Sequence, residues 1–235
     1  MFYKLSNTAE VVDMESAFDA KFKYPLLYQK NEIINGLSEQ SLPILSKRNS
    51  KVIDFAIWGL LPQSFNEDWK NFQNINNTLN ISLEDISNLS WIKALPNEQR
   101  CIILVTGYFT TFLHKGEIYP FYVHLKNNKP FAIAGIFSIL NDGFLSFSIV
   151  TSKSNNQLTD IHNLGKNFPL TFSRDNYNEW FDVDINALIN HPDYWETMNF
   201  EAHTISKEFY KNDIIYDSIL EPAKYKGLPI LSLKQ

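Results

Sequence analysis

Short apolar runs separated by turn residues dominate the centre of the chain. The strongest is CIILV at residues 101–105, which is rich in β-branched side chains and precedes Thr106 and Gly107. A run of this length and composition is typical of a buried strand, and we expect it to end in a turn at these two residues. Further strands are predicted at residues 52–58, 121–124, 130–137 and 144–150.

Helical spacing appears first near the N-terminus. Asn7 and Glu10 have the spacing of a capping box, in which each end of the motif satisfies a free backbone N–H group of the other. Apolar residues then recur at helical intervals, at Val11, Met14, Phe18 and Phe22. The pattern predicts a short amphipathic helix that packs on the core.

Two more helices are predicted on either side of the strand-rich centre. Ser82 and Asp85 indicate a helix start ahead of apolar residues at 86, 89 and 92, and Ser173 indicates another helix that continues through Trp180. Asn35 and Gly36 mark the clearest chain reversal.

Closely spaced strands between flanking helices indicate an α+β fold with a mainly antiparallel, barrel-like β core. A chain of 235 residues with 44% hydrophobic content can bury one substantial core. We therefore expect a single domain spanning residues 1–235.

Charge and cysteine content narrow the functional classes. A net charge of −5 argues against a strongly electrostatic nucleic-acid binder, although a local basic groove stays compatible with it. No apolar run is long enough to span a membrane, and no basic segment followed by a hydrophobic one opens the chain, so we expect a cytoplasmic protein without a membrane partner. The single cysteine, Cys101, fits a reducing compartment and lies in a strand as an inert core residue.

Metal and cofactor sites find little support in the sequence. Asp182 and Asp184 would share one face of a strand, but no spaced third ligand completes the set. The remaining histidines outside position 162 show no ligand spacing. No phosphate-binding loop or hydrolase motif is present. We expect neither a metal nor a cofactor.

Four motifs in fixed order carry a more specific signal. They are WGLLP at residues 58–62, NNTLNISLE at 76–84, RCIILVTGYF at 100–109, and IVTSKSN with a following IH at 149–162. Together they resemble the SOS-response-associated peptidase (SRAP) family, and the resemblance covers nearly the whole chain at low identity. It implies that family's single α+β domain around a barrel-like core.

The resemblance implies a reactive second residue. Members of the family expose a cysteine at position 2, whose amine and thiol form a thiazolidine with the aldehyde of an abasic site in single-stranded DNA. This chain has Phe2, which carries no nucleophile and whose size should block removal of Met1. We expect the thiol-dependent autopeptidase and crosslinking chemistry to be lost.

The supporting positions are mixed. A family glutamate that assists proton transfer falls at Thr110, which cannot act as a general base near neutral pH. Asn80 and His162 match retained family residues, so the predicted site is Asn80 and His162 beside the degenerate positions Phe2 and Thr110. Taken without the family, Asn80 is equally well a loop or cap residue, and His162 a structural one.

Positions that would contact DNA are altered as well. Family arginines fall at Lys4, Ser82 and Lys93, so that only part of the charge and none of the bidentate geometry is kept. Trp58 could stack on a base, or it could simply pack in the core.

Three hypotheses follow for the function. The favoured one is a catalytically degenerate SRAP protein that binds single-stranded or damaged DNA weakly and without a covalent bond. The second is a residual enzyme that uses His162 and Asn80 with another nucleophile. The third is a scaffold repurposed for a protein or small-molecule ligand.

Overall fold

The structure is a computed structural model, and it describes residues 2–86, 99–153, 158–185, 187, 198–211 and 219–229. Its strands are β1 Lys4–Asn7, β2 Lys21–Phe22, β3 Asn31–Asn35, β4 Ser41–Ser46, β5 Asn49–Trp58, β6 Asn80–Ser82, β7 Arg100–Val105, β8 Gly107–His114, β9 Glu117–Leu125, β10 Phe131–Ile139, β11 Leu145–Ser152, β12 Phe168–Pro169, β13 Thr171–Phe172 and β14 Phe200–Thr204. The α-helices are α1 Val11–Phe18, α2 Trp69–Ile75, α3 Leu83–Ile86 and α4 Asn178–Asp182, with 3-10 turns at Pro25–Leu27 and Lys207–Tyr210.

These strands form two sheets. The smaller sheet has the order β14-β9-β8-β1-β3, and the larger follows the path β12-β11-β10-β7-β4-β5-β2, with β13 beside β10 and β6 beside β11. Most pairs are antiparallel, as expected. A short parallel pairing of β5 with β11 curls the larger sheet, but within the described residues the sheets do not close into a true barrel.

Three apolar clusters hold these layers together. Residues of β7 alternate between two of them: Cys101 and Ile103 join the cluster that draws on both sheets, whereas Ile102 and Leu104 join the one that includes α1, α3 and α4. Alternate strand residues point to opposite faces, so β7 is buried on both sides, which explains its continuous apolar run. The third, smaller cluster joins the other face of the smaller sheet to the Lys207–Tyr210 turn.

The predicted turn at Thr106 and Gly107 is wrong. Instead of reversing, the chain passes directly from β7 in the larger sheet to β8 in the smaller one. Glycine is required at 107 because a Cβ atom there would lie 2.3 Å from a ring carbon of Tyr122. The residue marks a close approach of backbone to ring, and β8 therefore begins at Gly107.

The N-terminal capping box is also wrong. Asn7 ends β1, where its buried amide donates to the Leu104 carbonyl at 3.0 Å and accepts from the Tyr28 hydroxyl at 3.0 Å. Glu10 itself precedes the helix and pairs with Lys30. The Asn7 side chain therefore makes tertiary hydrogen bonds and does not cap the helix.

Helix α1 is shorter than its apolar pattern predicts. It ends at Phe18, because Asp19 adopts the left-handed conformation with φ 48°. Phe22 consequently lies in β2.

Two further helices were predicted to start at Ser82 and Ser173. Ser82 accepts from the Asp85 N–H at 3.2 Å and caps α3, although the apolar residues predicted at 89 and 92 lie outside the described part of the chain. Residues 174–177 form turns after Ser173, so that helix begins only at Asn178. The strands predicted from residues 52–58, 101–105, 121–124, 130–137 and 144–150 are confirmed, with ends shifted by a few residues.

Arg100 fastens α4 to the larger sheet. Its guanidinium donates to the carbonyls of Trp180 at 2.8 Å and Val183 at 2.5 Å, and burial lowers its pKa, an effect that the charges of Asp184 and Asp182 oppose. The two aspartates therefore serve a buried arginine at a helix end, where a cation is also favoured by the helix dipole.

Candidate functional site

Asn80 holds the backbone of residue 2. Strand β6 runs parallel to β11, with Asn80 opposite Ile149. From there the Asn80 side chain accepts from the Phe2 N–H at 3.2 Å and donates to the Phe2 carbonyl at 2.7 Å. Both contacts involve main-chain atoms of Phe2, so the clamp does not depend on which side chain residue 2 carries.

Thr110 and His162 form a buried pair beside this clamp. Thr110 lies in β8, and its Oγ1 is 2.6 Å from Nδ1 of His162. The next residue, Asn163, accepts from the Leu113 N–H at 2.7 Å and donates to the Leu113 carbonyl at 2.8 Å. Three hydrogen bonds therefore attach the His162 loop to β8, one at Thr110 and two at Leu113.

Aromatic rings enclose the pair. The Phe2 ring is only 2% exposed, and its centroid is 5.4 Å from that of His162 and 5.8 Å from that of Tyr108. Phe168 also packs edge-to-face against the imidazole, with the ring centroids 5.1 Å apart. All four positions predicted for the catalytic site thus meet in one place, and the side chain of Phe2 fills its centre.

The electrostatics of the site keep the imidazole neutral. Burial lowers the pKa of His162 to about 4, and its Nε2 atom has no hydrogen-bond partner among the described residues. The hydroxyl of Tyr108 is likewise buried without a partner there, and burial raises its pKa. The site is therefore largely apolar and only partly satisfied in hydrogen bonding.

Comparison with known proteins identifies the family. The family model described as SOS response associated peptidase (SRAP) matches residues 3–211. The chain belongs to the SRAP family. The resemblance predicted from the four sequence motifs is confirmed. No curated protein matches this SRAP chain significantly.

Solved structures share the fold of this SRAP protein. It is similar to a protein from Bacteroides thetaiotaomicron, with a TM-score of 0.79 and 20% identity over 94% of this chain and 100% of that one. It is also similar to a protein from Bordetella bronchiseptica, with a TM-score of 0.69 and 14% identity over 87% of this chain and 99% of that one. A phage-related protein from Bordetella bronchiseptica has a TM-score of 0.58 and 15% identity over 86% of this chain and 93% of that one. These likenesses confirm the expected α+β fold.

Three of the positions predicted to contact nucleic acid lie in the described part of the SRAP chain, and each makes contacts within the protein. The Lys4 ammonium donates to the Phe209 carbonyl at 2.6 Å and lies over the Phe209 ring at 4.2 Å. Trp58 is 0% exposed, so it packs in the core and presents no ring face to a base. Ser82 caps α3, and Lys93 lies outside the described residues.

The described part of the SRAP chain contains neither a cluster of metal ligands nor a helix able to span a membrane. Within it, no group of three or more His, Cys, Asp or Glu side chains is arranged to hold a metal ion. Among the same residues no helix has the length and apolar character needed to cross a membrane. Cys101 is fully buried, and burial raises the pKa of its thiol, which fits a core residue.

Sequence reasoning missed three members of the site: Tyr108, Phe168 and Asn163. Tyr108 could have been found, because it precedes Thr110 by two residues and alternate strand residues share a face. Asn163 contacts Leu113 of β8, 50 residues earlier in the chain of this SRAP protein, whereas Phe168 of β12 packs on His162 only six residues before it. No local pattern in the sequence announces them.

Acid is expected to destabilise this SRAP protein partly through His162. The pKa of His162 is 6.5 in the unfolded chain and about 4 in the folded protein. Above pH 6.5 the imidazole is neutral in both states, so the free energy of unfolding keeps its full value there. The free energy of unfolding decreases by up to about 3 kcal/mol as the pH falls from 6.5 to about 4, because only the unfolded chain takes up the proton over this range. Urea unfolding of the wild type and of His162→Gln between pH 4 and 7 measures it. Equal pH dependence of the two proteins would show that His162 contributes nothing.

Proposed function

We propose that this SRAP protein binds single-stranded or damaged DNA without forming a covalent bond to it. The observation that carries the proposal is the Phe2 ring, which is buried against His162 at the position where the family has its reactive cysteine. Membership of the family supports DNA as the partner. The absence of a thiol at residue 2 supports binding without crosslinking.

The chemistry available around Phe2 supports the same conclusion. A thiazolidine requires an amine and a thiol on one residue, because the imine formed by the amine alone is reversible. The Thr110 hydroxyl cannot replace a carboxylate in proton transfer at neutral pH. Burial that lowers the pKa of His162 to about 4 also weakens this imidazole as a base. No step of the family reaction is therefore well served by these side chains.

A denaturing gel tests the loss of crosslinking. We expect no heat-stable adduct after incubation with single-stranded DNA that carries an aldehydic abasic site. A binding assay on the same DNA at low salt should show a reversible complex, weakened as salt is added. A robust heat-stable adduct would overturn the proposal.

A second candidate function is a scaffold for a protein or small-molecule ligand. It is favoured by Lys4 and Trp58, because the first is engaged with Phe209 and the second is buried, so neither is presented to a DNA strand. A salt titration separates the two candidates. Absence of single-stranded DNA binding even at low ionic strength would favour the scaffold.

A further inference from the structure

Two histidines that are far apart in the sequence meet on one face of the smaller sheet. His124 lies in β9, and His203 lies in β14, where it pairs with Tyr122 of β9. The centroids of the two imidazole rings are 5.4 Å apart, and Tyr122 packs against both, at 5.0 Å from His124 and 5.8 Å from His203. Only the register of β9 with β14 brings these rings together.

Backbone carbonyls fix the tautomer of each ring. Nδ1 of His124 lies 2.9 Å from the Leu125 carbonyl oxygen, and Nε2 of His203 lies 2.7 Å from that of Leu220. A carbonyl oxygen only accepts hydrogen bonds, so each of these nitrogens carries a hydrogen in the neutral ring. A further proton therefore adds to the other nitrogen and gives the ring a positive charge. Charging both rings would place two cations side by side, with His124 itself buried.

Three successive residues of β14 hold the C-terminal strap, residues 219–229. The hydrogen-bonded pairs are His203 with Leu220, Thr204 with Ala223, and Ile205 with Tyr225. The Thr204 contact is double, because its carbonyl accepts from the Ala223 N–H at 2.7 Å and its hydroxyl donates to the Ala223 carbonyl at 2.5 Å. Since β14 ends the smaller sheet, the strap covers an edge that has no neighbouring strand in the described part of the chain.

The strap also makes apolar contacts on both faces of the smaller sheet. Ile219 is 2% exposed and belongs to the cluster that contains Phe109, whereas Tyr225 and Leu228 pack against the cluster that contains Phe2. The strap therefore passes around the sheet edge from one face to the other. Its release would uncover the outer hydrogen-bonding groups of β14, and an uncovered edge strand can pair with a strand of another protein.

We propose that the C-terminal strap is an acid-sensitive latch, which is closed while His124 and His203 are neutral and opens when this pair gains protons. In the closed state the neutral His203 ring donates to the Leu220 carbonyl. A proton on His203 places a charge beside His124 in a partly desolvated setting, and release of the strap gives that charge access to water. The latch determines whether the β14 edge is available for pairing, and it does not depend on DNA binding.

Groups on both strands and on the strap act on His203. Burial lowers the pKa of His203 and is the largest effect; the Leu220 carbonyl of the strap and the Glu201 carboxylate of β14 raise it, and the charge of His124 from β9 lowers it. The net shift is downward from 6.5, so the closed latch keeps its full stability above pH 6.5 and loses stability as the pH falls below that value. Burial raises the pKa of Tyr122, so this phenol stays neutral over the same range.

Hydrogen–deuterium exchange read by mass spectrometry tests the latch, with protection factors corrected for the pH dependence of intrinsic exchange. Between pH 7.5 and 5.5 we expect the protection of residues 219–225 to fall, by up to about tenfold per pH unit. Residues 101–105 of β7 should stay protected, because a local opening leaves the core folded. Equal loss in both segments, as acid unfolding through His162 would cause, or no loss in the strap, would overturn the proposal.

Substitutions of single histidines separate the pair from a general effect of acid. His203→Gln keeps an N–H donor for the Leu220 carbonyl but cannot gain a proton, so its strap should stay protected down to pH 5.5. His124→Gln removes the neighbouring charge, so its strap should open only at a lower pH than in the wild type; this variant decides the question if His203→Gln does not fold. His114→Gln, which changes a histidine of β8 outside the pair, is the control and should follow the wild type. A wild-type pH response in either of the first two variants would overturn the proposal.

Discussion

Replacing Trp58 with alanine is expected to lower the free energy of unfolding by about 3–5 kcal/mol. Trp58 is fully buried, its indole N–H donates to the Leu79 carbonyl at 2.9 Å, and its ring stacks on Phe147 at 6.2 Å. A Cβ atom on Gly36 would lie 2.7 Å from the same ring, so the pocket is closely fitted. Truncation would leave a large cavity and remove one of the two hydrogen bonds that the Leu79 carbonyl accepts, the other coming from the Ile149 N–H at 3.1 Å. Urea denaturation with a constant m-value provides the measurement.

Trp58→Phe is the matched control. Phenylalanine keeps most of the apolar volume but loses the N–H donor, so we expect a smaller destabilisation than for alanine. If Trp58 stacked on bases, its replacement would weaken single-stranded DNA binding and leave stability nearly unchanged. That opposite pattern would contradict the packing role that the structure shows.

The double variant Phe2→Cys with Thr110→Glu is expected to form a heat-stable adduct with abasic-site single-stranded DNA. Asn80 grips the main chain of residue 2, so a cysteine there would be held at the same point as Phe2. A small second residue would also permit removal of Met1. The new carboxylate would take the place of the hydroxyl that lies 2.6 Å from His162, and its charge would favour the protonated imidazole.

The single variants serve as controls for this gain. Thr110→Glu alone should form no adduct because it lacks the thiol, and Phe2→Cys alone should form less than the double variant because it lacks the proton-transfer group. Mass spectrometry must show that Met1 has been removed. No adduct from a folded, correctly processed double variant that still binds DNA would show that more than these two side chains has diverged.

Sequence patterns predicted the fold well where burial alone decides structure. The run at residues 101–105 is apolar because β7 is covered on both faces, and such a signal depends on no distant partner. Asn7 shows the opposite case. Its side chain was available both to a helix cap and to Leu104, 97 residues away, and only the folded chain reveals which contact forms.

In the candidate site, some contacts were predicted from the sequence and others became known only from the structure. Family motifs placed Phe2, Asn80, Thr110 and His162 together, and the structure brings them into contact, although their roles stay predictions. The burial of Trp58 could not be read from the sequence, because a tryptophan at a strand end serves packing and stacking equally well. The engagement of Lys4 by Phe209 joins residues 205 positions apart, which no spacing rule covers.

The Asn80 side chain can hold the backbone at position 2 whichever side chain that residue carries. Because both hydrogen bonds go to the main chain, the same grip is available to nearly any amino acid placed there. A protein engineer could use it to present an aminooxy, hydrazine or photoreactive side chain to the His162 pocket without redesigning the surrounding sheet. The two hydrogen bonds from Asn80 would hold each of these residues at the point where Phe2 is held.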